Sequence, residues 1–74
     1  MSKLPVIKPK ELIKILKNFG FVEHRQKGSH LILKRSDGQR AVIPIHQGRD
    51  IPTGTLRSIL NDADISVDEL TKYL

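Results

Sequence analysis

The chain has 74 residues and a formal net charge of +5 at pH 7. It contains no cysteine, which excludes a disulfide framework and a thiolate metal cage and suits a reducing compartment. Its length fits one small domain over residues 1–74. No stretch approaches the roughly 18 consecutive apolar residues of a membrane span, and no apolar signal-peptide core is evident. We therefore expect a cytoplasmic protein.

The positive charge is unevenly distributed along the chain. Residues 1–49 carry eleven Lys and Arg side chains against three acids, whereas residues 50–74 carry two against five. A basic first part favours contact with a polyanion such as nucleic acid, and an acidic remainder favours a solvated or partner-facing surface. The alternative is a basic surface without a ligand, because many small soluble domains carry excess Lys and Arg.

The first predicted element is an amphipathic helix that begins near Pro9. Its apolar residues recur on one face of a 3.6-residue period: Leu12, Ile13, Ile15, Leu16 and Phe19. Pro9 suits the first turn of a helix, and Gly20 suits a left-handed stop. The opposite face is rich in lysine: Lys10, Lys14 and Lys17.

Three strands are predicted next, over residues 21–26, 30–35 and 40–45. Residues 28–29 form the first turn, and the Ser-Asp-Gly sequence at 36–38 is a strong hairpin signal. Pro44 has no N–H to donate to a ladder, so the third strand should lie at a sheet edge or stop pairing there.

A second helix is predicted to begin within residues 52–55, and Ser66 with Glu69 forms a capping box that opens a short terminal helix. The resulting order is α-β-β-β-α with a helical tail. This is an α+β fold, in which a three-stranded antiparallel sheet carries both main helices on one face. The other face of the sheet is left open.

Alternation along the first two strands predicts which side chains share the open face. If residues 28–29 form a two-residue turn, three cross-strand pairs lie there: Lys27 with His30, Arg25 with Ile32, and Glu23 with Lys34. The other face would take Val22, His24, Gln26, Leu31 and Leu33. A different turn length would shift the pairing, but the alternate residues of the second strand stay together. His30 is therefore expected on a cationic surface, away from the helices.

An imidazole in that place is a candidate for acid–base chemistry, because it titrates near neutral pH. The surface around it would attract phosphate. The predicted contacts are Arg25, Lys27 and Lys34 by charge, and Gly28 and Ser29 through their backbone N–H groups. The alternative is a solvated sheet face on which Lys and Arg only maintain solubility. Face and charge alone leave the two interpretations evenly matched.

Five ordered segments resemble the HicA toxins, which are small bacterial and archaeal mRNA interferases. They are residues 20–21 (Gly-Phe), 26–30 (Gln-Lys-Gly-Ser-His), 37–38 (Asp-Gly), 42–46 (Val-Ile-Pro-Ile-His) and 54–60 (Gly-Thr-Leu-Arg-Ser-Ile-Leu). The likeness runs from about Pro9 to Leu70. It implies a fold similar to a double-stranded RNA-binding domain and an endoribonuclease acting on mRNA. It also implies a HicB-type antitoxin that inhibits the enzyme.

The resemblance also implies roles for individual residues. The His of the Gly-Ser-His motif is catalytic in HicA toxins, and here it is His30. The Pro-x-His element corresponds to Pro44 and His46. We expect His46 to have a structural or supporting role, such as closing a strand end or orienting phosphate. The alternative is that it serves as a second proton-transfer group. Residues 51–53 depart from the charged, helix-compatible stretch of many members, which leaves the start of the second helix open.

No metal or small-molecule cofactor is predicted, because the spacing of the three His matches no standard zinc pattern. His24 is expected to face inward or lie at the sheet rim, without a role. Two other functions remain open: a non-catalytic RNA-binding module of the same fold, and an adaptor whose basic face meets an acidic protein. A binding module needs lysines that face phosphate, but not a fixed imidazole beside a turn.

Overall fold

A computed structural model describes residues 3–46 and 48–74. Its elements follow in the order α1 (Pro9–Asn18), β1 (Val22–Lys27), β2 (His30–Lys34), β3 (Arg40–Pro44), α2 (Thr53–Ala63) and α3 (Val67–Thr71). The strands form an antiparallel sheet of order β1-β2-β3. The predicted α+β fold is confirmed. No described helix has both the length and the apolar content needed to span a bilayer.

Helix α1 begins and ends where its sequence signals predicted. Pro9 occupies the first turn and is buried, and its missing N–H costs nothing there because first-turn donors have no partner within the helix. Gly20 has a φ of 92°, which a residue with a side chain rarely adopts. This turn lets the Phe21 N–H donate to the Leu16 carbonyl at 3.2 Å and directs the chain into β1.

The hydrophobic core lies between the helices and one face of the sheet. Leu31 pairs with Ile43 and Leu33 with Ala41 across β2 and β3, so these four buried side chains form the inner face of the sheet. The helices contribute the opposite layer of the core: Leu12, Ile15, Leu16, Leu56, Ile59, Leu60, Ala63 and Leu70. Burial is therefore one-sided, and none of the described helices lies against the outer face of the sheet.

Strand β3 is an edge strand that ends at Pro44, as predicted for a residue without an N–H. The predicted second helix and its capped successor are confirmed. Glu69 donates its backbone N–H to Ser66 Oγ at 3.0 Å, and Ser66 donates its own N–H to Glu69 Oε1 at 2.9 Å. The strand ends differ from the predicted ranges by one residue, because Phe21 is buried before β1 and Arg35 leaves the ladder after β2.

Arg35 joins three parts of the fold beyond the end of β2. Its Nε donates to Asp37 Oδ1 at 2.9 Å, while Nη1 and Nη2 each donate at 3.3 Å to the carbonyls of Phe19 and Ala63. These carbonyls lie at the C-terminal ends of α1 and α2, where a cation is favourable. The guanidinium also lies 4.8 Å from the centroid of the Phe21 ring. Arg35 therefore fixes both helices to the hairpin.

Replacing Arg35 with Ala should lower the free energy of unfolding by about 1–3 kcal/mol, because several partners lose their donor together. Arg35→Lys should recover only part of this loss, since an ammonium group cannot reproduce the planar fork. Chemical denaturation measures both, with Arg57→Ala, an exposed site on α2, as the control. Equal stabilities for the Arg35→Ala and Arg57→Ala variants would show that Arg35 does not hold the helices.

Stability should fall in acid through Glu69 and Asp37. Hydrogen bonds from Ser66 lower the pKa of Glu69, and the hydrogen bond from Arg35 lowers the pKa of Asp37. A carboxyl whose pKa is lower in the folded state stabilises the protein above its unfolded pKa of about 4, and that contribution is lost as pH falls through the folded pKa. Thermal melts between pH 7 and pH 2 should therefore show a smaller acid loss for Glu69→Gln, which keeps the capping geometry. An unchanged acid limb in that variant would contradict the assignment.

Candidate functional site

His30 is the first residue of β2, at one end of the central strand. Lys27 of β1 lies across from it on one side and Pro44 of β3 on the other. The preceding turn depends on Gly28, whose φ of 60° lies in the left-handed region. The Ile45 N–H donates to the Ser29 carbonyl at 2.6 Å and ties the end of β3 to the turn. The backbone of His30 is thus held by both neighbouring strands.

The side chain of His30 is exposed on the sheet face opposite the core. No hydrogen bond or ion pair joins it to another residue of 3–46 and 48–74. Both ring nitrogens are therefore accessible to a ligand. An imidazole held on an ordered strand but uncommitted to the fold has the position that proton transfer to a bound molecule requires.

The cross-strand partners of β1 and β2 are only partly as predicted. Lys27 lies across from His30 and Arg25 across from Ile32, as expected from a two-residue turn. The expected pairing of Glu23 with Lys34 is wrong, because the register shifts between Glu23 and Arg25. His24 is the extra residue of this β-bulge, exposed on an edge strand, so it lies at the rim and not inward.

The bulge moves an acid off the open face. Glu23 lies across from the core residue Leu33, and its Oε2 is 2.6 Å from Nζ of Lys17 on α1. Val22 takes the place across from Lys34 and is 64% exposed, instead of facing the core as expected. Because the side-chain period of a strand is two, one inserted residue exchanges the faces of the residues before it.

The open face carries four cations and no acid among the described residues. They are Arg25, Lys27, Lys34 and Arg40. None of the four forms an ion pair within residues 3–46 and 48–74. The acid-paired cations of that range are on other surfaces: Lys8, Lys17 and Arg35. No described acid therefore neutralises the positive charge of the open face.

Sequence reasoning missed Arg40. It lies directly across from Lys34, and like charges in this arrangement oppose each other, so an anion bound between them would relieve the repulsion. The signal was available in β3, where the buried Ala41 and Ile43 alternate with residues 40 and 42. Period-two alternation places Arg40 on the face of His30.

The open face has a length and an apolar centre that suit an extended polyanion. His30 and Lys34 are four residues apart on β2, which is about 13 Å at the rise of a strand. Each strand of duplex DNA carries one charge per about 3.4 Å of helix axis, and phosphates are farther apart along an extended single strand, so more than one phosphate fits along this length. Ile32 and Val42 lie across from each other between the two charged ends and are half-buried.

His46 is not on the strand ladder with His30. It is exposed two residues beyond Pro44 and lines a groove with Lys8 and Lys10 at the same end of the sheet. In residues 3–46 and 48–74, no three His, Asp or Glu side chains are grouped so as to hold a metal ion.

Taken together, the fold and the face define a small α+β protein whose exposed imidazole lies within an unpaired cationic surface. A family model described as "HicA toxin of bacterial toxin-antitoxin" matches residues 9–65, which is more than half of the chain and includes the whole open face. The chain belongs to the HicA toxin family. It is therefore a toxin of the toxin–antitoxin kind, and its family implies an antitoxin as partner. A comparison with curated proteins finds no match.

Proposed function

We propose that this protein is an endoribonuclease of one domain (1–74) that cleaves mRNA in the cytoplasm and is silenced by a HicB-type antitoxin. The observation that carries the proposal is the exposed, uncommitted ring of His30 on a sheet face with four unpaired cations. Membership of the HicA toxin family supports it. RNA cleavage requires a proton-transfer group beside a bound phosphate. His30 would supply the proton-transfer group, and the four cations would bind the phosphate.

In the proposed reaction, the ribose 2′-oxygen attacks the adjacent phosphorus and the bond from phosphorus to the 5′-oxygen breaks. His30 takes the 2′-OH proton as a general base or gives a proton to the leaving 5′-oxygen as a general acid, and water handles the other proton. A positioned proton-transfer group of this kind accelerates a reaction by about 10²–10⁴-fold. Lys27 lies across from His30 and is placed to stabilise negative charge that develops on the phosphoryl oxygens. His30 and Lys27 thus supply the two ingredients of phosphodiester cleavage.

RNA binding is proposed to use the rest of the open face. Arg25, Lys34 and Arg40 would contact phosphates away from the cut, and the backbone N–H groups of Gly28 and Ser29 would contact the phosphate near the turn. Ile32 and Val42 would pack against the bases or sugars. Most of this binding energy would be electrostatic and would depend strongly on salt.

The antitoxin is proposed to cover the open face. Unneutralised cations favour an acidic partner through electrostatic attraction, and a protein seated there would exclude RNA from His30. A toxin–antitoxin complex in which the ring of His30 remains accessible to solvent would contradict this mode of inhibition.

His30→Ala should lower the rate of RNA cleavage by at least about 10²-fold while RNA binding and folding are retained. His24→Ala is the matched control, because His24 is also an exposed histidine of the sheet. The His24→Ala protein should cleave RNA at the wild-type rate. Gel analysis of RNA incubated with purified protein gives the rates. A His30→Ala protein that cleaves at the wild-type rate would overturn the assignment. A wild type that retards RNA but leaves it uncut would identify a binding module instead.

Arg40→Ala should reduce the salt dependence of RNA binding. Each phosphate contact contributes about −0.7 to the slope of log K against log salt for a single strand, so the slope should become shallower by about that amount. The titration uses His30→Ala protein so that the RNA stays intact. Lys72→Ala, at an exposed position after α3, should leave the slope unchanged. Equal slopes for both variants would remove Arg40 from the RNA surface.

A further inference from the structure

A groove of about 310 Å³ opens at the end of the sheet where His30 lies. Its described lining consists of Lys8, Pro9, Lys10, Ile45, His46 and Gly48. Pro9 is buried and Ile45 half-buried, while the lysines and His46 are exposed. The described groove therefore has an apolar bottom and a polar rim that includes two lysines.

The two walls of the groove are joined by the protein itself. One wall is formed by residues 8–10, at the start of α1, and the other by residues that follow β3. The Ile51 N–H donates to the Ile7 carbonyl at 2.9 Å, and Lys8 Nζ lies 2.9 Å from Asp50 Oδ1. Asp50 is thus already partnered by Lys8, which leaves Lys10 and His46 as the unpaired polar side chains among the described residues of the rim.

The groove is continuous with the backbone around His30. Pro44 lies across from His30, and the next residue, Ile45, donates its N–H to the Ser29 carbonyl. Ile45 and His46 therefore run from the turn beside His30 directly into the groove. Two residues of extended chain cover about 7 Å. This distance is short enough for the groove to receive a nucleotide next to one bound at His30.

We propose that this groove holds the base of an RNA nucleotide adjacent to the cleaved bond, a proposal that rests on the proposed function. Its volume lies at the lower end of the roughly 300–1,000 Å³ range of small-ligand pockets, which is enough for one base. Proteins that read single-stranded RNA insert unstacked bases into such sites and contact their edges with polar groups. His46 supplies the edge or face contact, and Lys10 binds the adjoining phosphate.

A segment of the antitoxin is the other class of occupant, and it fits less well. A stable protein interface buries about 800 Å² on each partner, far more than six lining residues provide. For a protein partner, the groove would form only the edge of a larger interface. A single base, in contrast, is small enough for the groove to hold without further contacts.

Two pairs of variants test the proposal. Lys10→Glu and Lys14→Glu make the same charge change at exposed sites of α1, but only Lys10 lines the groove. His46→Ala and His24→Ala form the second pair. The groove variants should raise KM for RNA cleavage by about tenfold and leave kcat nearly unchanged, as expected when binding is lost equally from the ground state and the transition state. The control variants should change KM by less than about twofold, and all four should melt near the wild type.

A second measurement separates the base from the phosphate. Wild-type protein labelled with ¹⁵N is titrated with AMP, UMP or ribose 5-phosphate. All three compounds carry a phosphate and should shift the amide signal of Lys10, but only the two nucleotides should shift the amide signals of Ile45 and Gly48. Equal shifts of Ile45 and Gly48 with all three compounds would overturn a base site.

The variants also separate this proposal from the one on which it rests. Wild-type protein that neither binds nor cleaves RNA would overturn both. Cleavage that requires His30 but is equally affected by Lys10→Glu and Lys14→Glu would overturn the groove alone. Groove variants that bind RNA normally but lose affinity for the antitoxin would assign the groove to the protein partner and likewise overturn the proposal.

Discussion

The one-residue bulge in β1 determines the electrostatic character of the open face. Without it, regular alternation would place the carboxylate of Glu23 beside Lys34. With it, Glu23 turns towards α1 and pairs with Lys17. A local irregularity of the backbone therefore leaves Arg25, Lys27, Lys34 and Arg40 without an acid among them in the described chain. The proposed binding of RNA depends on these unpaired cations. The proposed catalytic role of His30 depends on its lying among them.

One-sided burial makes such a face available in a small protein. The helices cover the inner face of the sheet and supply the core, so the outer face contributes little to stability and is free for a ligand. The residues that fix the helices are elsewhere. Arg35 binds the ends of α1 and α2 from beyond the end of β2, and the Ser66–Glu69 capping box closes the start of α3. Substitutions on the open face should therefore alter binding without removing the structural contacts.

Much of the fold could be predicted from sequence because its signals are local. The start and end of α1 are marked by Pro9 and Gly20, and a hairpin turn is marked by Asp-Gly at 37–38. The period of the apolar residues changes from 3.6 in α1 to 2 in the strands. The partners of Glu23 could not be predicted in this way, since no residue type marks the bulge and tertiary packing decides it. Arg40 could have been predicted from the alternation of β3. The groove could not, because its walls come from segments about 35 residues apart.

The central claim is that RNA occupies the open face around His30. It is tested most directly by mapping amide shifts of ¹⁵N-labelled His30→Ala protein as a short single-stranded RNA is added. Shifts should concentrate in residues 25–34 and 40–46, with little change in α2 and α3. Shifts concentrated on α2 and α3, with β2 and β3 unaffected, would contradict an RNA site on the sheet.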